Sequence, residues 1–236
     1  NKQSGFRKYH SCSTALTHLI DTWLQEIDSG KYVGSIFLDL RKAFDLVDHE
    51  ILLYKMELYH FSGPAIKLFK SYLSNRKQEI HVGNLKSNTL NIKSGVPQGS
   101  ILGPLLFILY INDLAYSCPS ANIDLYADDS TLYKSGYNVQ EIENKLQDSI
   151  DMVTEWCKQN NMLLHPQKSK CMLIGSRFKL RNVNALQVSI NGSLLENALN
   201  WNIQIDEVCK KLNKKLNLFK KIKHYLNPHT RMLFYN

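Results

Sequence analysis

Three aspartates, Asp39, Asp128 and Asp129, stand where a chain could gather carboxylates. Asp39 follows an apolar run, residues 33–38, rich in Val, Ile and Phe and suited to a buried strand. Asp128 and Asp129 fall between two short runs, residues 123–127 and 131–134, that read as the arms of a tight hairpin around residues 128–130. Carboxylates collected at strand ends repel one another unless cations lie between them. Mg2+ takes few carboxylates together with phosphate oxygens and water. Two such ions side by side can activate a hydroxyl nucleophile and stabilise a departing pyrophosphate. Taken singly, each aspartate is an ordinary turn or capping residue, so the surrounding sequence has to decide.

The elements that must position these groups are legible from periodicity. Residues 14–27 predict an amphipathic helix with Leu16, Ile20, Trp23 or Leu24, and Ile27 on one face, stopped at Gly30. Helices are expected over 49–61 and 64–73, with Pro64 opening the second. Residues 78–82 and 89–92 could pair across a turn at 83–86. Residues 141–157 predict a strong helix with Ile142, Leu146, Ile150, Val153 and Cys157 on one stripe, and 171–175 and 186–190 are candidate strands. A last helix is expected over 205–226, its apolar stripe flanked by lysines that include Lys211, Lys214 and Lys215. This mixed order of helices and strands argues for an α+β protein.

Composition sets the outer bounds. The chain has 236 residues, 44% of them hydrophobic, enough for one large or two small domains and unlike a disordered chain. The longest apolar run, residues 101–111, is interrupted by Gly103 and Pro104 and is too short to span a bilayer. The start is polar, unlike a signal peptide, and lacks an initiator Met, so an excerpt of something longer is expected. Five cysteines, odd in number and without a C-x-x-C pair, point to reduced thiols rather than a disulfide framework or zinc site. A net charge of +8 favours a polyanionic partner, nucleic acid before anionic membrane.

Phe37-Leu38-Asp39-Leu40-Arg41-Lys42-Ala43-Phe44-Asp45 resembles the F-x-D-x-x-K-A-F-D block of reverse transcriptases from non-LTR retrotransposons. The run from Gly95 to Pro104 resembles their G-V-P-Q-G-S-x-L-G-P block, and Tyr126-Ala127-Asp128-Asp129 their Y-A-D-D, in the same order. Gly5-Phe6-Arg7 through Ala15 is similar to the upstream G-F-R-x-x-x-S-T block, and Leu164-His165-Pro166-Gln167-Lys168-Ser169 to L-N-x-x-K-T, with His165 where Asn is usual. Four residues recur by chance, whereas the ten-residue run does not. The wording is nearest to jockey-like and related elements.

The resemblance implies a right-hand polymerase palm, an antiparallel sheet packed on helices, with partial fingers and palm over 1–200 and the start of a helical thumb over 201–236. It implies an RNA-directed DNA polymerase that uses two Mg2+ ions (Mn2+ in their place), an RNA template, a DNA primer and dNTPs. No membrane is involved, and the place is the nucleus or cytoplasm. Asp39, Asp128 and Asp129 match the metal-binding triad, to which the Leu40 carbonyl could add a ligand. Phe44, five residues after Asp39, matches the aromatic gate against a ribose 2′-hydroxyl. Gln98 and Gly99 match the residues beside the templating base and incoming nucleotide, and Lys168 a lysine expected to protonate pyrophosphate or settle the nucleotide's phosphates. Arg7, Lys8 and the lysines Lys211, Lys214 and Lys215 would meet phosphates.

Three departures from the family pattern are expected to matter. The R-P-I fingers segment of relatives is not written here, the Y-L-G-V-x-I-D-like primer-holding hairpin does not follow Glu196, and the thumb stops soon after it begins. A truncated or internally deleted copy is therefore expected. Two other readings stay open: a non-catalytic nucleic-acid-binding remnant, and another palm polymerase. For the latter, Phe44 weighs against an RNA-dependent RNA polymerase, and the lack of an attached splicing domain weighs against a group II intron maturase.

Overall fold

The computed structural model of the chain describes residues 2–181 and 183–197. The chain divides into two units, Asn1–Asn197 and Ala198–Asn236. The expected Lys-rich helix, with Lys211, Lys214 and Lys215, lies outside the described residues.

Helix α1, Cys12–Asp28, opens on a capping box in which Ser11 accepts from the Thr14 amide and Thr14 accepts from the Ser11 amide. Strand β1, Tyr32–Leu38, follows. Helix α2, His49–Leu58, is capped by Asp48, and α3 spans Gly63–Leu73 with Pro64 in its first turn. The α2 helix stops short of the expected end because His60 turns left-handed (φ 61°). The Phe61 amide then bonds the Met56 carbonyl and the His60 amide that of Glu57, a Schellman end without the usual glycine signal.

A nested hairpin arm comes next: β2, Lys77–Gln78; β3, His81–Val82; β4, Leu85–Lys86; and β5, Leu90–Asn91. Outer strands β2 and β5 pair as expected, but the turn is only Gly83-Asn84, and Leu85–Lys86 pairs with β3 instead of forming the loop. The interrupted apolar run becomes the buried helix α4, Leu102–Ile111. Strands β6, Asn122–Tyr126, and β7, Asp129–Gly136, form the acidic hairpin, and α5, Val139–Gln159, returns across the sheet. The remainder is β8, Lys170–Ile174; the short α6, Arg177–Leu180; a small hairpin of β9, Ser189–Ile190, and β10, Ser193–Leu194; and β11, Glu196–Asn197.

The main sheet has the order β11-β8-β1-β7-β6, antiparallel except for the β11–β8 edge. Because β1 is central, both of its faces are covered, and alternation assigns them. Ile36 and Leu38 join Leu132, Leu146, Ile150 and the α4 residues Leu106 and Phe107 on one face. Val33 and Phe37 join Tyr133, Met172 and α1 on the other. There Trp23 meets Phe37 and Tyr133 edge-on, with ring centroids 6.4 and 6.0 Å away.

Two further sequence expectations need correction. Helix α1 buries Leu19 and Trp23, while Leu16, Ile20 and Leu24 are exposed. The helix carries two apolar stripes, and the one with the indole docks. Residues 186–190 are a strand only at Ser189–Ile190; Leu186, Val188 and Ile190 still point alternately into the core, without ladder partners for the first part. No helix among the described residues is long and apolar enough to cross a membrane.

Candidate active site

The register Leu38↔Ser130 brings the end of β1 level with the start of β7, which sets Asp39 beside the acidic turn. The Asp39 backbone is fixed on its other side. Its amide donates to the buried Ser169 hydroxyl at 3.1 Å, and its carbonyl accepts from the His165 amide at 2.9 Å. Leu40 bridges Leu164, but the bonds around that bridge come from the neighbours, His165 to Asp39 and Arg41 to Leu163. Such a pair does not use its own carbonyls, so the bridge leaves the Leu40 oxygen unengaged.

Tyr126 pairs with Asp129, so the turn is Ala127-Asp128 and the expected tip at 128–130 moves back by one residue. Asp129 and Ser130 are already in β7. Ala127 alone of the two turns left-handed (φ 55°), the pattern of a type II′ hairpin, where glycine is the usual occupant. One consequence is that Asp128 and Asp129 face different spaces. Asp128 lines a cavity of about 420 Å3 together with Asp39, Leu40, Phe44, Gln98 and Lys168. Asp129 lines a separate groove of about 690 Å3 with Tyr126 and α1.

Among the described residues no three His, Cys, Asp or Glu side chains converge as a ready cluster for a metal ion. The carboxylates do sense one another: partial burial first, then the charges of Asp128 and Asp39, push the Asp129 carboxyl above its ordinary range. Two carboxylates and a backbone carbonyl lining one cavity are the oxygen donors that Mg2+ takes, phosphate and water oxygens completing its shell.

The block around Phe44 and the block around Gln98 are bonded together. The Val96 amide donates to the Phe44 carbonyl at 2.9 Å, the Gly95 amide to that of Val47 at 2.7 Å, and the Gln98 amide nitrogen to Asp45 Oδ1 at 2.7 Å. Gly95 (φ 89°) has to be glycine, because a Cβ there would lie 2.8 Å from the Asp45 carbonyl oxygen. Gly99 also has positive φ, 80°, but open space around it. The Phe44 ring stacks on Phe107, centroids 4.3 Å apart and 23° between planes, and Phe44 is among the residues that line the cavity. Ser100 accepts from the Gly103 amide at 2.9 Å, closing the loop onto α4.

Lys168 is exposed and lines the cavity. Arg7 and Lys8 do not line it: Arg7 Nη1 donates to the Gln3 carbonyl at 2.9 Å, and Lys8 lies over the Tyr9 ring. Two contributors escaped sequence reasoning. Asp45 orients Gln98, and His165 lines the cavity with its Nδ1 buried and without a hydrogen-bond partner among the described residues. Both lie inside recognisable blocks, but only their spatial partners give them a part.

A profile of the family described as reverse transcriptase (RNA-dependent DNA polymerase) matches residues 1–193. The probable RNA-directed DNA polymerase from transposon BS of Drosophila melanogaster is 32% identical over 205 residues, 82% of this chain and 22% of that protein. The RNA-directed DNA polymerase from mobile element jockey of Drosophila funebris is 32% identical over 204 residues, 82% of this chain and 21% of that protein. The chain thus spans about a fifth of the length of these curated relatives. Among solved structures, telomerase from Candida tropicalis in complex with a TWJ fragment of telomeric RNA superposes with a TM-score of 0.55 at 12% identity, over 73% of this chain and 30% of that one. The Candida albicans telomerase complex gives 0.55 at 12% identity, over 83% and 36%. These likenesses establish a shared palm polymerase fold.

Proposed function

The chain belongs to the reverse transcriptase (RNA-dependent DNA polymerase) family, and from that premise we propose that its Asp39–Asp128 cavity carries RNA-directed nucleotidyl transfer from a dNTP to a primer 3′-hydroxyl. The observation that supports this best is convergence. Asp39, Phe44, Gln98, Asp128 and Lys168 come from four separate stretches of sequence and line one cavity.

In this reading Asp39 and Asp128 hold the metal, the Leu40 carbonyl adds an oxygen, and Asp129 assists from the neighbouring groove. Two Mg2+ ions (Mn2+ in their place), when bound, supply activation of the 3′-hydroxyl and neutralisation of the leaving pyrophosphate. Phe44, braced by Phe107, lies under the sugar and leaves no room for a 2′-hydroxyl. Gln98, oriented by Asp45, and Gly99 border the templating base and nucleotide. Lys168, at the cavity wall, protonates the leaving pyrophosphate or settles the nucleotide's phosphates. Lys8, Arg7, Lys211, Lys214 and Lys215 meet phosphates of the template and duplex without reading sequence. Residues 1–200 serve as partial fingers and palm, and 201–236 as the start of a thumb. The work is done inside the cell, in nucleus or cytoplasm.

Extension of a DNA primer on an RNA template with Mg2+ tests this. Incorporation of dNTPs in preference to NTPs is expected. Preference for NTPs would overturn the Phe44 assignment. Salt-sensitive RNA binding without incorporation would favour the non-catalytic reading.

A further inference from the structure

The turn that carries Asp128 has an unusual support. Ala127 adopts a left-handed conformation that an L-residue holds only when its surroundings impose it. Those surroundings come from the chain's far end. Residues 2–4 run parallel to β6 at the sheet edge: the Leu125 amide donates to the Lys2 carbonyl at 2.9 Å, and the Ser4 amide to the Leu125 carbonyl at 2.8 Å. This places the Gln3 side chain, only 2% exposed, against the turn.

Gln3 Oε1 accepts from the Ala127 amide at 3.0 Å and from the Gly5 amide at 2.7 Å. Two backbone donors converging on one atom fix it as the carbonyl oxygen rather than the NH2 group. The Gln3 nitrogen stands 3.5 Å from the Ala127 carbonyl, a weak second contact. Gly5 lets the strap close: a Cβ there would lie 2.3 Å from the Ala127 nitrogen. Arg7 ties the strap to itself through the Gln3 carbonyl.

We propose that Gln3 is a positioning residue that holds the Ala127-Asp128 turn in its metal-binding conformation, with Gly5 permitting the approach. This deepens the functional reading above and rests on it. Gln3 does not line the cavity that Asp39 and Asp128 share. By fixing the Ala127 peptide it fixes the direction in which the next residue, Asp128, leaves the backbone. A free type II′ turn with alanine in the left-handed position would relax, and Asp128 would leave the cavity it shares with Asp39.

The test uses the full chain with Gln3→Met, which fills similar volume and accepts no hydrogen bond, and Gln3→Asn, which withdraws the amide by one carbon. Two readouts need no turnover: hydrogen exchange of the Ala127 amide, and Asp128-dependent Mn2+ affinity by electron paramagnetic resonance. In Gln3→Met, Ala127 exchange should rise about tenfold or more, in line with loss of a buried hydrogen bond, while Leu132 exchange stays unchanged. Mn2+ affinity should fall about fivefold or more, and kcat should fall with dNTP KM within about twofold. Gln3→Asn should shift all three the same way.

Unchanged Ala127 exchange or unchanged Mn2+ affinity in a folded variant would overturn the proposal. Loss of the fold by both variants would also overturn it, since Gln3 would then be a general structural residue. Absence of Asp128-dependent incorporation in the unsubstituted chain overturns the polymerase reading instead, and leaves the two turnover-free readouts to judge Gln3.

Discussion

The carboxylate end of the main sheet and the hairpin arm of residues 77–91 are both built from antiparallel strands, yet they are held in opposite ways. At the carboxylate end, Leu38, Leu125 and Leu132 are buried, and the backbone is bonded to the 163–169 loop and the Gly95–Val96 loop. Along the arm every residue from Lys77 to Asn91 is exposed, including Ile80, Val82, Leu85 and Leu90. A strand pattern produced a hairpin in both places. Only the first acquired a core that holds its side chains in place, as the proposed metal chemistry requires.

Substitutions in the two regions should differ accordingly. The largest effect belongs to Asp39→Ala, which should lower primer extension by about a thousandfold or more with the melting temperature nearly unchanged, since metal-stabilised charge is worth several kcal/mol. Next comes Leu132→Ala, in the fully buried centre of the sheet. It should cost about 2–5 kcal/mol in denaturant unfolding. Phe44→Ala should relax discrimination against ribonucleotides by about 10–100-fold, the range for rejecting one added hydroxyl, read as a ratio of kcat/KM values.

Asp129→Asn should act on stability in the opposite sense. The folded carboxyl titrates above its unfolded value, so its contribution is full below the unfolded pKa and lost as pH rises through the folded one. Without divalent metal, the Asn variant should therefore melt higher than the parent above the carboxylate range, and Mg2+ should narrow the gap. The smallest effect is expected for Leu85→Ala in the arm, within about 0.5 kcal/mol. A cost near that of Leu132→Ala would show that the arm has a core after all.

The same contrast explains what could be read in the sequence. Asp39, the acidic hairpin and α5 were legible because each is written locally, as a strand end, a short turn or a stripe of period 3.6. The docking face of α1 was not, since Leu16-Ile20-Leu24 and Leu19-Trp23 are equally periodic and only the sheet's aromatic face, Phe37 and Tyr133, chooses between them. The end of α2 at His60 lacked a glycine to announce it. Edge strand β11 exists only because β8 offers an open side to Glu196 and Asn197. In the site, Phe44, Gln98 and Lys168 were reached through the family wording and share the cavity of Asp39. Asp129 faces the adjoining groove because the turn lies one residue earlier than the hairpin pattern suggested. Gln3 carries no local signal at all; its partner is Ala127, and only the fold brings them together.

The proposed function requires that Asp128 and Asp39 form one metal-dependent transfer site. It is tested most directly by single-nucleotide incorporation of a dNTP on an RNA template across a Mg2+ titration, with Asp128→Ala in parallel and both proteins checked for equal thermal unfolding. Mg2+-dependent incorporation by the parent chain and none above background by the variant is the expected outcome. Equal incorporation by the two would contradict it.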